Sequence, residues 1–97
     1  SSEIAQTAVP EETQIRGNYP NPFAQRTSVE FDLSERTDVR VQVYNLLGQQ
    51  VATLADKQME AGTHQLEWDG SSVSSGAYFV RMEAGGVTDV QKITVVR

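Results

Sequence analysis

Apolar and polar residues alternate with period two in four separate stretches of this chain, and Gly, Pro, Asn, Asp or Ser fills the intervals between them. Period two sends successive side chains to opposite faces of an extended backbone, so each stretch predicts a strand with one buried and one wet face. Val29, Phe31 and Leu33 alternate with Ser28, Glu30 and Asp32, and Val39, Val41 and Val43 alternate with Arg40, Gln42 and Tyr44. His64, Leu66 and Trp68 alternate with Thr63, Gln65 and Glu67, and Tyr78, Val80 and Met82 with Phe79, Arg81 and Glu83. Gln50–Leu54 predicts a short further strand after a turn closed by Gly48. A last strand spans about Val87 to Val96, with Ile93 and Val95 inward. Gly85-Gly86 is a two-residue hairpin signal, Asp69-Gly70 a stop, and Ser71–Ser75 a loop. Glu35–Asp38 and Ala55–Glu60 tolerate helix but are too short to form one. The pattern predicts an all-β fold, an Ig-like or fibronectin-like antiparallel β-sandwich of six to seven strands.

The ends differ from this pattern. Residues 1–14 are polar and aperiodic and cannot bury enough apolar surface to offset their ordering, so they are expected to be a flexible linker remnant, with the sandwich occupying 15–97. The segment from Asn18 through Tyr19, Pro20, Asn21, Pro22 and Phe23 has two fixed φ angles and two missing N–H donors, which keeps it out of a sheet interior. With 97 residues and no Cys, the fold must be held by packing and backbone hydrogen bonds, with neither a disulfide nor a thiolate metal site. No apolar run approaches the roughly 18 residues of a membrane span. The start lacks a signal peptide, so an exported protein is expected to carry this chain as a fragment of a longer precursor.

Charge narrows the partners. Residues 1–15 contain Glu3, Glu11 and Glu12 and no base, and the remaining 82 residues hold ten acids and eight bases. Nothing resembles the basic stripe that nucleic acid requires. Catalysis is also disfavoured. His64, the single histidine, lies on the strand face of Leu66 and Trp68 and reads as a packing residue. Glu30 and Asp32 share the wet face of a strand without a cleft. Asp69-Gly70 reads as turn chemistry better than as a calcium ligand, and no cofactor is implied. Exposed aromatics are the remaining binding signal. Parity turns Trp68 and Tyr78 inward, the proline segment ties Tyr19, and Tyr44 and Phe79 stand outside on different strands without an evident second platform.

Several blocks, taken in order, carry a family likeness: Asn18–Phe23, Val41–Val51, Ala61–His64 leading to Trp68-Asp69-Gly70, Ser75–Phe79 and Lys92–Arg97. Over about the last 80 residues the chain resembles the C-terminal sorting domain of type IX secretion substrates (type A), a group similar to the Ig-like domain of the flagellar hook-cap protein. It departs from the family pattern after Phe23, where Ala24-Gln25 replaces the usual Asn-Pro.

The resemblance implies a non-catalytic module at the C-terminus of a larger exported protein, such as a glycoside hydrolase or protease. It implies passage through the periplasm, recognition by the outer-membrane type IX translocon, and cleavage by a sortase-like peptidase. The passenger would end at the cell surface or outside it. The family's closing motif maps onto Lys92, Ile93, Val95 and Arg97, and its glycine-aromatic block onto Gly76 and Tyr78. A last strand lacking a neighbour on one side would offer its free N–H and C=O groups to a receptor strand, flanked by Lys92 and Arg97. Two other roles fit the same sequence: a retained cell-attachment or spacer module, and a carbohydrate-binding module.

Overall fold

The computed structural model describes residues 9–97, and much of the expected linker, residues 1–8, lies outside the described residues. Seven strands follow in order: β1 Gln14–Tyr19, β2 Arg26–Leu33, β3 Thr37–Tyr44, β4 Gln50–Met59, β5 Gly62–Asp69, β6 Gly76–Ala84 and β7 Val87–Val95. They form a three-stranded sheet ordered β1-β2-β5 (sheet A) and a four-stranded sheet ordered β4-β3-β6-β7 (sheet B), every neighbouring pair antiparallel. The inward residues of the alternating stretches meet between the sheets. Val29, Phe31, Leu33, Val41, Val43, Val80, Met82 and Ile93 are fully buried, which is the two-layer arrangement the period demands.

Three features depart from the expectations. The seventh strand is Gln14–Tyr19, just ahead of the prolines, and Pro20 and Pro22 lie outside any strand. Second, Ala55–Met59, which looked helix-tolerant, continues β4. The reason is a pair of bulges: Val41 faces Ala55 and Gln42 faces Thr53, leaving Leu54 extra, and a second slip leaves Val51 extra. Each added residue reverses the alternation, so a continuous strand loses its period in the sequence.

Third, Asp32 is not on a wet face; it is 3% exposed. β1 lies alongside β2 and brings Arg16 Nη1 to 3.0 Å of Asp32 Oδ2. Thr63 Oγ1 of β5 donates to Asp32 Oδ1 at 2.7 Å. Burial pushes this carboxyl up, but hydrogen bonds from Thr63 and Arg16, the Arg16 charge and a hydrogen bond from Gln14 together hold it below its ordinary value. One ionised side chain in the central strand of sheet A is therefore tied to both neighbouring strands.

A carboxyl with a depressed folded pKa contributes its full stability above the unfolded value, about 3.9, and loses it as pH falls through the folded value. Asp32→Ala is expected to lower stability at pH 7 by about 1.5–3 kcal/mol, the range for hydrogen bonds to a charged group. In urea melts at a series of pH values, the gap between wild type and Asp32→Asn should narrow as pH drops below about 4.

Candidate functional site

The proline segment that follows β1 and the residues that end β7 meet at one pole of the sandwich, and most of the motif blocks lie there. Phe23 is 2% exposed and packs edge-on to Trp68, with ring centroids 5.6 Å apart at 66°. Trp68 in turn meets Tyr78 edge-on at 5.7 Å and 68°. The Tyr78 hydroxyl donates to the Ser74 carbonyl at 2.7 Å, which anchors the loop before β6. Three aromatic rings from separate blocks thus form one ladder, an arrangement worth about 0.5–1.5 kcal/mol per pair beyond area burial.

Backbone hydrogen bonds join the same blocks. Phe23 N–H donates to the Thr94 carbonyl at 3.0 Å, and Val96 N–H donates to the Phe23 carbonyl at 2.8 Å, a one-residue parallel bridge onto β7. Thr94 N–H also donates to Asn21 Oδ1 at 3.2 Å. Gly70 N–H donates to the Gln25 carbonyl at 2.8 Å, and Arg97 Nη2 donates to the Gly70 carbonyl. The arch itself is braced from within, because Thr27 Oγ1 donates to the Pro20 carbonyl at 2.8 Å and accepts from Asn18 Nδ2 at 3.1 Å. At the Asp69-Gly70 turn, Ser71 N–H donates to Asp69 Oδ1 at 2.9 Å and Arg26 lies 3.7 Å from Oδ2. The hydrogen bonds from Ser71, with the nearby charges of Arg26 and Arg97, hold the Asp69 carboxyl below its usual range. Gly48 lies in the β3–β4 turn, at the same end of sheet B, and makes none of these contacts.

The proposed edge recognition is altered by this pole. The N–H and C=O groups of β7 that point away from β6 belong to even-numbered residues, and those around Thr94 and Val96 are engaged by Asn21 and Phe23. Further along, Asp89 Oδ2 accepts from Ile15 N–H of β1 at 2.8 Å. The backbone of the last strand is therefore engaged at its C-terminal end, while at its start the Asp89 side chain ties it to β1. Ile93 and Val95 are core residues at 0% and 1% exposure, while Gly76 and Lys92 are exposed. Arg97 lies over the Asp69-Gly70 turn, remote in role from Lys92.

Other candidate residues sort clearly. His64 stacks on Phe31 at 5.4 Å, and its Nε2 lies 2.7 Å from the Glu60 carbonyl. A carbonyl only accepts, so Nε2 carries the proton and the ring is a packing and turn-bracing group. Tyr19, expected to be tied into the proline segment, is 83% exposed. Tyr44 and Phe79, read as isolated on different strands, are direct cross-strand partners on the outer face of sheet B. Sequence reasoning missed that pairing because register between β3 and β6 depends on tertiary pairing. It also missed the exposed Leu46 and Leu47 beside them.

The sequence profile described as "Secretion system C-terminal sorting domain" matches residues 18–96. No curated protein matches significantly. Among solved structures, a crystal structure of an uncharacterized protein from Bacillus anthracis superposes with a TM-score of 0.64 at 12% identity, covering 87% of this chain and 84% of its own. That likeness is one of fold.

A Cβ on Gly70 would lie 3.2 Å from the buried Phe23 ring and 3.4 Å from Trp68. Gly70→Ala is expected to cost about 1–3 kcal/mol through overpacking, and Phe23→Ala about 3–5 kcal/mol. Denaturant melts of both single variants and the double variant should show the two costs to be strongly non-additive, since removing the ring relieves the clash.

Proposed function

We infer the function of this chain from its family, for it belongs to the secretion-system C-terminal sorting domains. Membership carries export, with the outer-membrane surface or the extracellular space as destination. The proposed role is that of a non-catalytic address read by the outer-membrane type IX translocon. The passenger lies ahead of it in the same precursor, a glycoside hydrolase or protease being typical cargo. The profile match over 18–96 carries this reading, and the pole described above gives it a physical form. Blocks scattered along the sequence become one rigid, disulfide-free unit that can be displayed on a folded passenger. The family's residue types at Gly76 and Tyr78 then serve to set β6 against β7 and complete the aromatic ladder. Arg97 fastens the chain terminus, and Lys92 remains for direct contact.

A cleavage event fits the region ahead of β1. Val9, Glu11 and Glu12 are exposed and outside any strand. Among the described residues Thr13 is the first anchored by a hydrogen bond, its hydroxyl accepting from Ser34 N–H at 3.0 Å. An exposed segment outside the ladder is where a peptidase gains access, so a sortase-like cut N-terminal to Thr13 would release the passenger and leave the sandwich whole. A retained attachment or spacer module would leave that segment intact.

Removing only Lys92–Arg97 would take Ile93 and Val95 from the core, so the decisive comparison uses the whole unit. A periplasm-directed reporter carrying residues 9–97 at its C-terminus is expected at the surface of a type IX-competent host, and to stay periplasmic when the fusion is omitted. Surface delivery without the domain, or periplasmic retention with it, would end the sorting reading. The intact mass of the surface form should lack residues 13–97 if the domain is cut away; a mass that includes them supports the attachment role.

A further inference from the structure

Cross-strand register assembles a surface on sheet B whose parts are dispersed over four strands. One row across the outer face runs Gln50–Tyr44–Phe79–Lys92, and the next runs Thr53–Gln42–Arg81–Val90. The Tyr44 hydroxyl donates to Gln42 Oε1 at 2.7 Å, so the ring lies along its own strand. Tyr44, Leu46, Phe79, Arg81 and Val90 line a shallow depression of about 330 Å³. Leu46 is 67% exposed, Leu47 83% and Val90 52%.

The two leucines are held out by a well-built turn. Asn45 N–H donates to the Gln49 carbonyl at 2.9 Å, and Gly48 N–H to the Asn45 carbonyl at 3.0 Å. Asn45 Oδ1 accepts from Leu47 N–H at 2.9 Å and from Gln49 N–H at 3.0 Å. Gly48 takes a φ of +83°, which favours glycine. Turn tips are ordinarily polar, whereas this one spends its polar groups on rigidity and presents two leucines to water. Contiguous exposed apolar groups on a rigid support mark a docking site.

We propose that the Leu46–Leu47 turn and the Tyr44–Phe79–Lys92 row dock the domain onto a protein of the export machinery whose surface offers an apolar socket beside a carboxylate. The proposal rests on the sorting reading and names the surface through which it works. Charge selects this occupant. Among the described residues Lys92 has no acidic partner, while Arg81 beside it is held by Glu83 at 2.7 Å. In a chain of net charge −5, this patch is where an acidic partner meets attraction. One unpaired lysine falls short of the cluster of about 4–8 basic residues by which an anionic lipid surface is recognised. A two-fold copy would bring unpaired lysines near one another. A saccharide would find the Asn45 amide, Tyr44 hydroxyl and Arg81 already engaged within the fold.

The test uses the full-length precursor in a secreting host, reading the fraction delivered to the surface. Leu46→Ser/Leu47→Ser and Lys92→Glu are each expected to cut that fraction by about thirtyfold, the scale of losing an interface hot spot. Lys92→Arg should stay near wild type, as should Glu67→Lys on the opposite sheet. The melting temperature of the chain should be unchanged in all of them. If the double variant melts lower, Leu47→Ser alone takes its place with the same expected loss. Normal delivery of these variants, with deletion of the whole domain still blocking delivery, overturns the docking surface and leaves the sorting role standing. Normal delivery after whole-domain deletion removes the sorting role itself. Three further results would assign the patch elsewhere and also overturn the proposal, provided Leu47→Ser abolishes them. They are co-sedimentation of the chain with phosphatidylcholine–phosphatidylglycerol vesicles, a concentration-dependent dimer in ultracentrifugation, and retardation in polysaccharide-containing gels.

Discussion

Phe23 is the contact through which both sheets are joined at the pole where β7 ends, and the rest of the pole depends on it. Its ring fills the space left by the absent side chain of Gly70 and abuts Trp68, while its backbone forms a bridge onto β7. A small sandwich without Cys has no covalent staple and must close its open ends by packing. Here a buried aromatic with two backbone hydrogen bonds does so. The bridge also covers part of an edge that would otherwise be available to other chains.

Closure of that edge changes where recognition can take place. A free terminal strand would be read through its backbone, as in strand addition. With β7 engaged by Asn21 and Phe23 at its C-terminal end, the backbone there is no longer free, and at the other end the Asp89 side chain ties the strand to Ile15. Side chains on the outer face of sheet B are more accessible than the backbone at that end. The rigid β3–β4 turn and the row ending at Lys92 belong to that face, whereas Arg97 belongs to the closure. Two residues that stand together in the sequence motif thus separate: Arg97 braces the Asp69-Gly70 turn, and Lys92 stands exposed on the outer face of sheet B.

The face of sheet A has a different character. Asp32 is buried between Arg16 and Thr63, and its ionised form ties three strands together. Beyond it the sheet is polar, with Glu30 and Gln65 alongside an exposed Tyr19. The two outer faces are therefore unlike, one polar and acidic, the other carrying leucines, aromatics and an unpaired lysine. A module with two unlike faces can present one to its passenger and the other to a receptor.

The alternation of Val29–Leu33, Val39–Val43, His64–Trp68 and Tyr78–Met82 determined the class of fold, because period two leaves a chain with short turns only the choice of a layered antiparallel sheet. The glycine and proline positions determined most of the breaks, and the ordered motif blocks determined the family. Strand β4 was legible only in its first half, since its bulges erase the period that a sequence can display. Asp32 looked solvated because its parity is polar, and only the docking of β1 and β5 side chains shows it buried. The Tyr44–Phe79 pairing and the meeting of Phe23, Gly70 and Val96 join residues far apart in the chain. Such contacts follow from register and sheet packing, which no local pattern encodes; tertiary structure alone decided them.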